Sequence, residues 1–219
     1  MDEELELAKE RSWREVAEID AAYERGELDD DGWHGAMAGI VAPAYLASLA
    51  PEGGSGSSRD ASGWGYARSL IAGAVEPGQT FLDVGCANGH LMESMWRWAR
   101  VEPYGLEISA ELAALARRRL PLWSGRICVG NVADWMPPRD FDVVRTNLDY
   151  VPGRHREPLV KRVLAYTQRL VVGVFNEERE ARSLEAEVVR WGFTVAGRSD
   201  REHPHPGLAH RAFWIDAGG

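Results

Sequence analysis

Cysteine is scarce in this chain: Cys86 and Cys128 are the whole supply. Two thiols make neither a disulfide framework nor a metal set, and they imply a reduced, cytoplasmic home. Long apolar runs are lacking too, since none approaches the ~20 residues that a membrane span needs. The start, Met1-Asp2-Glu3-Glu4, is acidic and lacks the basic, apolar character of a secretory signal. Positive charge is in deficit, with 25 Lys and Arg against 34 Asp and Glu, a net charge of −9. Duplex or structured RNA would be repelled over most of such a surface, which argues against a nucleic-acid partner. The local run Arg117-Arg118-Arg119 reads as the solvated face of a helix.

What is present is an ordinary globular composition, 45% hydrophobic and 27% charged over 219 residues. That length suits one α/β domain with an appended segment and is too short for two full domains. The most informative stretch is Phe81-Leu82-Asp83-Val84-Gly85-Cys86-Ala87-Asn88-Gly89-His90. An apolar pair and an acid lead into small residues, and Leu91, Met92, Met95, Trp96 and Ala99 follow at helical spacing. This is strand, Gly-rich turn and helix, a unit that brings backbone N–H groups toward a nucleotide-like ligand. A dinucleotide fingerprint needs glycines at offsets 0, 2 and 5. Gly85, Ala87 and His90 stand there, and Asp83 would repel a pyrophosphate, so that reading fails.

The stretch resembles motif I of the class I S-adenosylmethionine (SAM) dependent methyltransferases, Asp/Glu-x-Gly-x-Gly-x-Gly, carried here by Asp83, Gly85, Ala87 and Gly89 with alanine at the middle glycine. The resemblance covers residues 62–216. It implies an α/β fold, a doubly wound, mostly parallel seven-stranded sheet (the Rossmann-like methyltransferase fold) with an N-terminal helical cap. The β-α alternation read from the chain agrees: strands at 81–84, 103–108, 126–130, 141–146 and 170–175, then a β-β pair at 193–196 and 212–215. Three segments are expected: a cap over 1–50, a Gly/Ser-rich linker over 51–61 and the catalytic domain over 62–219. In the cap, Asp29-Asp30-Asp31 starts a second helix whose stripe is Trp33, Met37, Ile40, Val41 and Ala44, and Pro43 is expected to kink or end it.

The resemblance also assigns roles. Asp83 would meet the ammonium end of SAM or an ordering water, and Gly85, Cys86, Ala87 and Gly89 would form the turn beside it. Glu107, at the tip of the second strand, matches the ribose station, with Ile108 next to it. Asn131 and Val132 match the adenine station, where an amide oxygen can accept from the exocyclic amine. Asn147 would lie near the methionine moiety. Asn147-Leu148-Asp149-Tyr150 stands where amide and base methyltransferases carry Asn/Asp-Pro-Pro-Tyr/Phe, and the missing prolines argue against that chemistry. The candidate catalytic groups are Asp149, Tyr150 and His203, a histidine being able to move a proton near neutral pH. No metal is expected, because His203 and His205 lack further ligands at a suitable spacing. The activity implied is methyl transfer from SAM, leaving S-adenosylhomocysteine, to an O or N atom of a small molecule. The alternatives are methylation of RNA or protein, or a SAM-binding module without catalysis.

Overall fold

The computed structural model describes residues 3–54, 61–148, 151–174, 178–202 and 209–218. Asp149, Tyr150, His203, His205 and most of the Gly/Ser linker lie outside the described residues.

The β-α alternation becomes seven strands: β1 (Thr80–Val84), β2 (Glu102–Glu107), β3 (Ile127–Val129), β4 (Phe141–Thr146), β5 (Thr167–Val174), β6 (Val195–Glu202) and β7 (Ala209–Asp216). They form one sheet in the order β3-β2-β1-β4-β5-β7-β6. The first five are parallel, and β7 runs antiparallel between β5 and β6. The last two strands are each eight residues long, twice the span the sequence suggests. Edge strand β6 alternates half-buried and exposed residues along its whole length, a pattern with a weak apolar signal.

Successive strand residues point to opposite faces, and each central strand splits its apolar pair accordingly. Leu82, Val144, Val172 and Phe213 enter one core, with Leu159 and Val160 of α6 (Gly153–Leu164) and Leu184 of α7 (Glu178–Arg190). Phe81, Val143, Val171 and Ala212 enter the other. There they meet Trp64 of α3 (Ala61–Arg68), Ile71 of the 3-10 turn Ser69–Ala74, and Leu91 and Met95 of α4 (His90–Ala99). Trp96, counted in the apolar stripe by its spacing, is instead 41% exposed and edge-on to Trp123. Helix α5 (Ala110–Arg119) starts at Ser109, whose hydroxyl accepts from the Leu112 N–H. The triple arginine at its end is not simply a solvated face. Arg117 donates to the Ile127 carbonyl, and Arg119 donates to the Asn88 carbonyl and to Glu93. Carbonyls at the strand and turn ends need partners, and arginine at the helix terminus reaches them.

Two helices, α1 (Glu3–Glu24) and α2 (Asp30–Ala47), form an antiparallel pair with a small core of Tyr23, Trp33 and Met37. Asp29 caps α2 by accepting from the Gly32 N–H at 2.8 Å. Pro43 does not end this helix, which runs on to Ala47. The carbonyl deprived of its partner belongs to Gly39, which is exposed to water and carries no Cβ to crowd the ring. No helix among the described residues is long and apolar enough to cross a membrane.

Helix α2 is tied down at both ends. At its start, Asp30 accepts from the Tyr23 hydroxyl and lies 3.2 Å from His155 Nε2 and 3.6 Å from Arg154 Nη2, at the start of α6. Beyond its end, the Pro51 carbonyl accepts from Asn88 Nδ2 at 2.7 Å, within the turn after β1. Both anchors lie at the carboxyl edge of the sheet. An 18-residue helix spans about 27 Å, and α2 uses that length to run between the start of α6 and the turn after β1, packing on α5 as well as α1. The first residues of the expected linker are therefore packed: Gly54 is buried, and a Cβ there would stand 2.2 Å from the Tyr45 ring.

Candidate active site

The turn after β1 is built by its own backbone. The N–H groups of Gly85 and Cys86 both donate to the Leu106 carbonyl, at 2.8 and 3.1 Å, and that of Gly89 donates to the Cys86 carbonyl. The His90 N–H donates to Asn88 Oδ1 and the Ala87 N–H to Glu107 Oε2. These five donors thus serve the turn itself, which corrects the expectation that they face a ligand. A tight turn held between two parallel strands must satisfy its donors locally. What the turn offers a ligand is space. Gly85 has φ +75° and nothing within 4 Å of where a Cβ would stand. Gly89, at φ +76°, is needed for packing, because a Cβ would lie 2.6 Å from Leu120 Cδ1. The Cys86 side chain points into the core with Met92 and Leu120, and burial pushes its thiol well above the usual range.

Ala87 occupies the middle glycine position with φ +48°. A Cβ in the left-handed region is strained by roughly 1 kcal/mol. Ala87→Gly is accordingly expected to raise stability by about 0.5–1 kcal/mol in urea unfolding, since relieved strain exceeds the added freedom of the unfolded chain.

Glu107 joins β2 to this turn. Its carboxylate accepts from the Ala87 N–H at 2.7 Å and from the Ser109 N–H at 2.9 Å, and the side chain is buried. Burial raises its pKa, and the two backbone donors oppose that rise. Ile108 beside it is 39% exposed, an apolar surface at the strand tip. Asn131 follows β3, and its Oδ1 accepts from the Ala133 N–H at 3.0 Å, closing an Asx turn. Val132 next to it is half-buried against the core.

Asp83 has an unforeseen partner. Arg145 of β4 is its direct neighbour in register, and Nη1 donates to Asp83 Oδ1 at 3.0 Å. Both side chains are buried, at 1% and 6% exposure. Nη2 of Arg145 donates to Asn147 Oδ1 at 2.5 Å, so one guanidinium links three residues at the carboxyl edge. Arg68, at the end of α3, is close enough to add a weaker pull on the same carboxylate. Motif spacing gives Arg145 no role, and the signal for one is an arginine inside Phe-Asp-Val-Val-Arg-Thr: a charge in a buried strand demands a partner.

Burial raises the Asp83 carboxyl to about 6, against the pull of Arg145. An acid raised on folding holds its proton longer in the native state. Stability from this group is therefore full below about pH 4 and falls as pH rises toward 6, by an amount on the order of 3 kcal/mol. Unfolding measured in urea between pH 4 and 7 should show that loss, and Asp83→Asn should flatten it.

The residues brought together are thus Asp83, Gly85, Ala87, Glu107, Arg145 and Asn147, with Ile108, Asn131 and Val132 on the neighbouring strand ends. The strand order is that of the methyltransferase fold. The family profile described as "Methyltransferase domain" matches residues 81–169. The chain is thus similar to the class I SAM-dependent methyltransferases, over residues 81–169 in sequence and over the sheet in fold.

Particular relatives sharpen the comparison. Trans-aconitate 2-methyltransferase of Rhodopseudomonas palustris (strain BisB5) is 33% identical over 112 residues, 49% of this chain and 40% of that protein. The enzyme of the same name from Afipia carboxidovorans is 35% identical over 66 residues, 30% of this chain and 25% of that protein. The chain thus spans two fifths or less of these curated relatives' length. Among solved structures, the N-methyltransferase NodS from Bradyrhizobium japonicum WM9 has a TM-score of 0.53 at 14% identity, over 69% of this chain and 91% of that one. Magnesium protoporphyrin IX methyltransferase from Synechocystis PCC 6803, with bound SAM, has a TM-score of 0.52 at 18% identity, over 69% and 76%.

Proposed function

We propose that the protein transfers a methyl group from SAM to an oxygen or nitrogen of a small molecule in the cytoplasm. The observation that carries this reading is the joint placement of Asp83, Glu107 and Asn131 at successive strand ends around the open backbone of Gly85. Asp83 suits the ammonium end of SAM, Glu107 the ribose hydroxyls, Ile108 and Val132 the faces of the adenine and Asn131 its amine. The carboxylate oxygens of Glu107 each accept one backbone donor and retain acceptor capacity for a hydroxyl.

SAM supplies an activated methyl on a sulfonium. The acceptor atom forms its bond to the methyl carbon as the carbon–sulfur bond breaks, and the electron pair stays on sulfur as S-adenosylhomocysteine leaves. The chain's task is to hold the acceptor in line and to exclude water. Asn147 and Leu148 after β4, together with α2, border the carboxyl edge where that alignment takes place; Asp149 and Tyr150 are the candidate acceptor contacts.

A small acceptor is favoured by the net charge of −9, which disfavours a polyanion, and by the relatives named for trans-aconitate. Their name makes a carboxylate oxygen the first acceptor to try. A carboxylate is already ionised at neutral pH, so its methylation needs alignment and no proton removal. Calorimetry with SAM, S-adenosylhomocysteine and NAD, followed by S-adenosylhomocysteine release with trans-aconitate and related acids, tests the reading. Micromolar binding of the first two ligands and turnover with one acid would support it. Binding of NAD alone, or of none, would overturn it.

A further inference from the structure

A buried ion pair in a central strand calls for a reason. Desolvating two charges costs several kcal/mol per ion, and an apolar pair of similar volume is often as stable or more so. Asp83 and Arg145 stand side by side on β1 and β4 at the ligand-binding edge of the sheet, 3.0 Å apart, on the two strands that begin its opposite halves. They present one negative and one positive pole. The amino-acid end of SAM presents the converse, an ammonium and a carboxylate on one carbon.

We propose that Arg145 takes the carboxylate of the cofactor's amino-acid end, so that Asp83 and Arg145 form a receptor for a zwitterion; this rests on the SAM reading above. The Asn147 amide oxygen, 2.5 Å from Nη2, holds the place of that carboxylate. A neutral amide oxygen yields to a carboxylate because charge-assisted bonds are roughly twice as strong. The flat guanidinium fork also matches a carboxylate in two-point geometry, which a lysine would not. Asp83 keeps one oxygen on Arg145 and turns the other to the ammonium. The three groups then form a closed set with no buried charge left alone. The pair thereby selects for ligands carrying both charges, and Arg145 is a specificity residue for the cofactor.

The test uses the intact protein and two ligands, SAM and S-adenosylmethioninamine, which lacks only the carboxylate. The wild-type protein should prefer SAM by roughly 30-fold, about 2 kcal/mol at 1.4 kcal/mol per decade. In Arg145→Gln the preference should shrink to within about 3-fold. Any loss at Asp83 weakens both ligands alike and cancels in the ratio. Should that variant fail to fold, Asp83→Asn/Arg145→Gln removes both charges together and should show the same collapse of the ratio. A folded variant that keeps the wild-type ratio, or a wild-type protein without preference, overturns the proposal. A wild-type protein that binds neither SAM nor S-adenosylhomocysteine overturns the SAM reading itself, and this inference with it.

Discussion

Arg145→Leu is expected to lower the unfolding free energy by about 3–5 kcal/mol, the cost of leaving a buried charge without its partner. The group left behind is Asp83, 1% exposed, with Glu107 adding like charge nearby. Its escape is to take up a proton. Arg145 is the largest influence holding the carboxyl down toward about 6, so removing it moves the titration upward through neutral pH. The variant's deficit should therefore grow from pH 5 to pH 8, because the native state then binds protons that the unfolded chain does not. Urea unfolding at several pH values reads both the size and the slope. Asp83→Leu/Arg145→Leu, which removes both charges, should recover most of the loss. If the single variant is as stable as wild type at pH 8, the pair is not a buried ion pair in solution.

Glu107→Ala should weaken SAM binding by about 100-fold, near 2.7 kcal/mol. Two losses combine in it. The ribose hydroxyls lose the acceptor proposed for them, and the Ala87 and Ser109 N–H groups lose theirs, at 2.7 and 2.9 Å. Glu107→Gln distinguishes them. An amide offers one oxygen where a carboxylate offers two, so its NH2 must face one of the two backbone donors. Glu107→Gln should therefore be nearly as poor a binder as Glu107→Ala. Calorimetry against SAM decides this, and near wild-type affinity in Glu107→Gln would show that the turn does not depend on both oxygens.

Much of this arrangement was readable from residue patterns, and the reasons differ by region. The central parallel strands announce themselves because strands covered on both faces are apolar runs, as at Leu170–Val174. Asp83, Glu107 and Asn131 stand out in the sequence as polar residues at or just beyond the carboxyl ends of β1, β2 and β3. The last two strands were read too short, since β6 carries Arg198, Asp200 and Glu202 on a half-exposed edge. Partners were harder to see than positions. Nothing in the spacing of Asp83 and Arg145, 62 residues apart, says that β1 and β4 are neighbours in register. Likewise the Pro51 segment looks like free linker until Asn88 is found holding its carbonyl. Contacts across 37 or 62 residues depend on topology, which local pattern does not carry.

Helix α2 has anchors of unequal character. At the α6 end the contacts to Asp30 are ionic and exposed, with Arg154 61% and Asp30 55% open to water, beside a hydrogen bond between the Tyr23 hydroxyl and His155 Nε2 at 2.7 Å. At the other end the Asn88 amide, 3% exposed, grips a neutral carbonyl. Dissolved salt discriminates between them: screening weakens exposed ion pairs and barely touches a buried neutral bond. Raising ionic strength is thus expected to weaken the Asp30 ion pairs while the Asn88 bond keeps its strength. The motif turn, rather than α6, is then the firmer of the two attachments of this helix.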